Sequence, residues 1–129
     1  MREIKFKFLM ENGEITDPYY LIELIDSDSY INIECEYSSK IKQELQYTGL
    51  KDKNGIEIYE ADIVKYKYTS REQVAKIEFN NEKLGFDFVD KHVKLSYAYN
   101  FRQINSIEVI GNIYENPELI EDIKWKIWK

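Results

Sequence analysis

Few of the residue types that do chemistry are present in this chain. One cysteine, one histidine, five glycines and two prolines stand among 129 residues. A single cysteine, Cys35, forms no internal disulfide, which fits a reducing compartment. One Cys and one His fall short of the four ligands that a structural zinc site takes. Any Cys-His catalytic pair has to use Cys35 and His92. Alternation places Cys35 on a buried row, where cysteine is commonly an inert core residue. The glycines are scattered and none spells G-x-G-x-x-G or a Walker loop, so nucleotide hydrolysis lacks its phosphate cradle. No run approaches the roughly 20 apolar residues that span a bilayer, and the charged N-terminus lacks a signal peptide's apolar core. These absences predict a cytoplasmic protein with no cofactor, no bound metal and no membrane partner.

What is abundant points to strands. Hydrophobic residues make up 43% and aromatics 15%, too rich in core formers for a disordered chain despite 33% charged residues. Eleven tyrosines and six phenylalanines suit the half-buried surface of a pleated sheet. The length suits one domain, 1–129. Within it we expect N-terminal strands over about 1–45, a core over about 46–115 and a helical tail over about 116–129. A net charge of −6 argues against broad attraction to nucleic acid or anionic lipid, although a local patch escapes that argument.

Along the chain, Arg2 to Phe8 alternates, with Ile4, Phe6 and Phe8 opposite Glu3, Lys5 and Lys7. Met10 to Gly13 is turn-like. Tyr19 to Ile25 is a strand buried on both faces or a helical turn, and its length favours the strand. Asp26 to Ser29 is a polar turn. Tyr30 to Tyr37 alternates again, which predicts a strand with Ile31, Ile33, Cys35 and Tyr37 inward. Ser38-Ser39 either caps a short helix over Lys40 to Leu45 or runs extended into the next segment. Further strands are predicted over Asp62–Tyr68, Gln73–Phe79, Phe86–Val89, Lys91–Tyr99 and Ile107–Ile113, with turns over Thr69–Glu72 and Asn80–Lys83. Asn116-Pro117-Glu118 has the chemistry of a helix start. Short strands with regular turn signals predict a mainly β chain, a small barrel or roll.

The stretch Gln46-Tyr-Thr-Gly-Leu-Lys-Asp-Lys-Asn-Gly55, followed by Glu57-Ile-Tyr-Glu-Ala-Asp-Ile-Val64, organises this pattern. Asn54-Gly55 predicts a type I′ hairpin turn, in which both residues take positive φ. These residues resemble the signature of the YopX family, small proteins encoded by bacteriophages and prophages. Met1-Arg-Glu-Ile-Lys-Phe6 and Ile107-Glu-Val-Ile-Gly-Asn-Ile-Tyr-Glu-Asn-Pro-Glu-Leu119 fit it as well. The resemblance implies an SH3-like, mainly β domain and carries no settled activity. The family usually has glycine where Ala61 stands, so a left-handed backbone is not expected there. Lys7-Phe8-Leu9 stand where an arginine and a tryptophan often follow the opening motif. Residues 10–44 carry no legible motif.

Candidate sites are few. Asp26-x-Asp28-x-Tyr30 opens like a calcium loop, but Ile31 occupies the glycine position and Tyr37 the place of the bidentate Glu. Glu57, Glu60 and Asp62 are the best paired carboxylates, and they flank a turn, where acids commonly bond backbone N–H groups. Neither pattern predicts a catalytic or metal-binding residue. Binding is better supplied. Lys65, Lys67 and Lys76 fall on the outer face of adjacent strands, with Arg71 in the turn between them, a patch for single-stranded nucleic acid or a solvated face. Tyr97, Tyr99, Phe101 and Arg102 combine the aromatic and basic types enriched at interfaces, and packing explains them equally. Trp125 and Trp128, at i and i+3, share a face if the helix continues, as a flap or as a contact to another subunit. The sequence therefore predicts a non-enzymatic module that binds a protein, a second copy of itself included. A nucleic-acid-binding module is the alternative.

Overall fold

A computed structural model describes residues 3–26, 28–68, 71–81, 85–89 and 104–120. Contacts divide the chain into two compact units, Met1–Gly49 and Leu50–Lys129. The strands are β1 (Lys5–Met10), β2 (Tyr19–Tyr20), β3 (Ile41–Lys51), β4 (Glu57–Tyr59), β5 (Asp62–Tyr68), β6 (Arg71–Asn80), β7 (Gly85–Val89) and β8 (Ile104–Asn112). A 3-10 helix covers Leu21–Leu24, and the helix α1 covers Ser29–Tyr37. The chain is mainly β, as composition predicts. Among the described residues the strands form two open four-stranded sheets, β2-β1-β3-β4 and β7-β6-β5-β8.

In the first unit, β1 pairs antiparallel with β2 on one side and β3 on the other. A central strand is covered more fully than a simple alternation implies. Phe8, Leu9 and Met10 are all buried, so Met10 ends the strand and the turn shrinks to the residues after it. Gly13 closes that turn at φ +91°, donating to the Met10 carbonyl. Thr16 then locks it. Its buried hydroxyl accepts from the Phe8 N–H at 3.0 Å and donates to the Asp17 carbonyl at 2.8 Å.

The largest departure from expectation is Tyr30 to Tyr37, which is α1 and not a strand. The same residues carry two periods. Ile31, Ile33, Cys35 and Tyr37 alternate, while Tyr30, Ile33 and Tyr37 recur at i, i+3 and i+7, the spacing of a helix face. The second reading wins because it seats that stripe on β1. Ile33 joins Phe8, Met10 and Leu24 in the core, with Tyr37 against them, and the Tyr30 ring meets Phe8 edge-on at 5.7 Å. Cys35 and Ile31 are consequently exposed. Ser38, at φ +50°, ends the helix as its C-cap, and the chain runs extended from Ile41. Tyr19 to Ile25 also departs from the favoured strand, since only Tyr19–Tyr20 pair before the 3-10 helix begins.

Lys5 is buried at 7% exposure, although alternation places it outside. Its ammonium lies 5.1 Å from the ring centroids of both Tyr20 and Tyr47 and 2.9 Å from Glu3. Two ring faces and a carboxylate replace part of the water that the charge gives up.

In the second unit, Ile58, Val64, Tyr66, Ala75, Ile77 and Phe88 form the core, with Phe86, Ile107 and Val109 packed against it. Val64 and Tyr66 face inward, and Lys65 and Lys67 fall on the opposite face, where the sequence places them. The Tyr66 and Phe88 rings meet at 5.5 Å and 68°. Burying aromatics of this size contributes about 2 kcal/mol each.

The Asn54-Gly55 turn differs from expectation in type. Only Gly55 has positive φ (+81°), and its N–H donates to the Asp52 carbonyl at 3.0 Å. A three-residue loop ending in a left-handed glycine is the other common hairpin solution. Asp52 selects it, because its carboxylate accepts the N–H groups of Asn54 (2.8 Å) and Ile56 (2.9 Å). Ala61 takes φ +75° despite its Cβ, held by Ala61 N–H to Ile77 carbonyl (2.8 Å) and Ile113 N–H to Ala61 carbonyl (3.0 Å). At the end of β8 the side chain of Asn116 accepts from the Asn112 N–H at 3.3 Å. A helical turn follows over 118–120.

Candidate interaction surface

The register of β5, β6 and β8 decides the lysine patch. Lys76 stands opposite Ile63, and Val74 and Glu72 stand opposite Lys65 and Lys67, so the three lysines do share one face. Arg71 does not join them. It begins β6 and pairs with Tyr68, on the other side of the pleat, and is not in the turn. The lysine face also carries Glu72, Glu78, Asp87 and Glu108 by the same register. Lys76 reaches Glu78 at 2.7 Å. Glu108 lies 3.7 Å from Lys65 and 3.8 Å from Lys53, and it accepts from the Asn54 amide at 3.4 Å. Three lysines interleaved with Glu72, Glu78 and Glu108, with Asp87 buried beside them, give a mixed face with little net pull on phosphate.

Two of the turn carboxylates bond within the turn itself. Asp62 accepts the Tyr59 N–H at 2.8 Å, and Glu57 accepts the Tyr59 hydroxyl at 3.1 Å. Asp52 is buried. Burial pushes its pKa up, but the N–H groups of Val109, Ile56 and Asn54 and the charge of Lys53 outweigh that and hold it below the usual range. Among the described residues no group of three His, Cys, Asp or Glu is placed to hold a metal ion. Nor is any helix among them long and apolar enough to cross a membrane. His92, Tyr97, Tyr99, Phe101, Arg102, Trp125 and Trp128, together with the predicted strand Lys91–Tyr99, lie outside the described residues.

A different surface emerges in the first unit. Ile22 is 78% exposed, Ile25 72% and Ile31 57%, and Ile4, Tyr20, Leu21 and Tyr30 are exposed as well. They stand on connected elements. The Leu21 N–H donates to the Ile4 carbonyl at 3.0 Å, Tyr20 pairs with Lys5, and the Ser29 hydroxyl donates to the Glu23 carbonyl at 2.7 Å. That last bond ties the 3-10 helix to the start of α1. Single exposed apolar residues are ordinary on a protein surface, but seven large ones on adjoining elements are not.

Between the 3-10 helix and α1 lies an open groove of about 320 Å³ lined by Pro18, Tyr19, Glu23, Leu24, Ser29, Asn32, Ile33 and Glu36. Leu24 and Ile33 are buried and form its apolar floor. Glu23 and Glu36 supply charge. The Glu23 carboxylate accepts the Tyr20 N–H at 2.9 Å, and Glu36 accepts the Tyr19 hydroxyl at 3.3 Å. Burial, followed by the negative charge of Glu36, pushes the Tyr19 phenol up to about 12. Pattern reading missed this surface because it sent Leu21, Ile22 and Ile25 into a buried strand. One signal was available: from residue 8 to residue 39 the chain has eight carboxylates and no lysine or arginine.

The family model described as "YopX protein" matches residues 11–121. The chain belongs to the YopX protein family. The match takes in residues 11–44, which carry no legible motif, and begins after the opening segment Met1–Phe6, which the resemblance includes. Among solved structures, the chain is similar to the crystal structure of protein EF1440 from Enterococcus faecalis. That likeness is 26% identical, covers 91% of this chain and 97% of the other, and has a TM-score of 0.48. No curated protein matches.

Proposed function

We propose that this YopX-family chain is a non-enzymatic protein-binding module, a phage or prophage accessory protein acting in the bacterial cytoplasm. The observation that carries the reading is the exposed apolar surface of the first unit, with Ile22, Ile25 and Ile31 its most exposed members. Leaving such side chains in water forgoes about 2 kcal/mol each, which a covering partner recovers in part. The groove beside the 3-10 helix has polar groups at its rim and an apolar floor, the usual anatomy of a recognition surface. The carboxylates that interleave the lysines of β5 and β6 weigh against nucleic acid as the partner.

Affinity capture of the full chain from cells that express it, with and without nuclease, tests the reading. A defined protein retained after nuclease supports it. Loss of every partner on nuclease treatment contradicts it.

A further inference from the structure

We propose that the groove between the 3-10 helix and α1 receives the segment Lys124-Trp-Lys-Ile-Trp-Lys129 of a second copy of this chain. The inference rests on the protein-binding reading and names the partner. Complementarity of charge carries it. The groove is rimmed by Glu23 and Glu36 and lies within the 8–39 stretch, whose eight carboxylates are opposed by no lysine or arginine. Residues 124–129 are the reverse: three lysines, no carboxylate side chain, and the only two tryptophans of the sequence. A chain with net charge −6 repels its own kind on average. Association therefore needs a local cationic segment, and this is the densest one that also brings aromatic surface.

Size and chemistry agree. A groove of about 320 Å³ is at the small end of ligand sites, enough for one indole. Leu24 and Ile33 give the ring an apolar floor, and the carboxylates at the rim accept its N–H and pair with the neighbouring lysines. The second indole then falls on the exposed side chains beside the groove. Ile22 and Ile25 flank Glu23 and Leu24 in sequence. If each copy offers both groove and segment, reciprocal exchange closes a two-fold dimer.

Sedimentation velocity of the full chain, from low to high micromolar concentration, reads the association. Tryptophan emission reads the segment alone, because both tryptophans lie in it. The expected result is a concentration-dependent dimer, weaker at high salt, with a blue shift that tracks its formation. Glu36→Lys and Lys126→Glu should each weaken the dimer about tenfold, and an equimolar mixture of the two should recover it, since both junctions then pair opposite charges. Recovery in the mixture separates this from a folding defect in either variant. A monomer at every concentration overturns the proposal, as does a blue shift independent of concentration or a mixture no better than its components. Capture of a different protein by the same surface would sink the proposal and leave the protein-binding reading standing.

Discussion

The Asp52 carboxylate accepts a hydrogen bond from the Val109 N–H at 2.9 Å, joining residues 57 positions apart. With the Asn54 and Ile56 N–H groups on its other oxygen, one buried side chain sets the hairpin after β3 and fastens it to β8. Asp52→Ala orphans three N–H groups and should cost about 3 kcal/mol or more. Asp52→Asn keeps one acceptor and should cost about 2 kcal/mol. The pH dependence follows from the lowered pKa. The charged form is the one the fold favours, so the contribution is complete above the ordinary carboxylate pKa and fades as pH falls through the folded value. Urea unfolding of wild type and Asp52→Asn across the acid range should show the gap between them closing at low pH. A constant gap refutes the charge-assisted role.

Gly111 faces Asn116. A Cβ built at Gly111 collides with the Asn116 side chain, which is itself held by the Asn112 N–H. Gly111→Ala should therefore cost about 1–3 kcal/mol. Most of that penalty should vanish in an Asn116→Ala background, and a double-mutant cycle measures the coupling. Equal costs in both backgrounds would mean that the two residues do not collide.

Ala61 holds a left-handed backbone that glycine adopts without strain. Ala61→Gly relieves about 1 kcal/mol of strain and loses about 0.8 kcal/mol of methyl burial, together with some unfolded-state entropy. The net change should stay within about 1 kcal/mol, whereas the β-branched Ala61→Val should lose more than that by thermal melting. An Ala61→Val variant as stable as wild type would remove the strain argument.

The mixed lysine face predicts weak and salt-insensitive behaviour toward nucleic acid. Fluorescence anisotropy with single-stranded DNA should show no change in affinity between wild type and the Lys65→Ala/Lys67→Ala double variant. A clear loss of affinity in that variant, with a steep salt slope, would restore nucleic acid as the partner.

Part of the second unit is legible in the sequence because β5, from Val64 on, and β6 alternate between the core and the lysine-bearing face. Val64 and Tyr66 alternate with Lys65 and Lys67, and the structure keeps that order. The first unit is harder to read. In Tyr30 to Tyr37 a twofold and a helical period coexist, and only the contact with Phe8 and Met10 selects the helix. Lys5 is polar by type and buried by position, because Tyr20 and Tyr47 happen to flank it in space. Ala61 shows the limit from the other side, since long-range bonds to Ile77 and Ile113 hold a φ that local preference opposes. The candidate surface was hidden for the same reason. An apolar run such as Leu21-Ile22 reads as core until the neighbouring elements are in place.

Site-specific photo-crosslinking in expressing cells shows, residue by residue, whether the first unit's apolar surface binds protein. A photoreactive residue at Ile22 should capture a discrete polypeptide, while one at Lys67, on the mixed-charge face, should capture none. Crosslinks at Lys67 with none at Ile22, or adducts to nucleic acid alone, would contradict protein binding there.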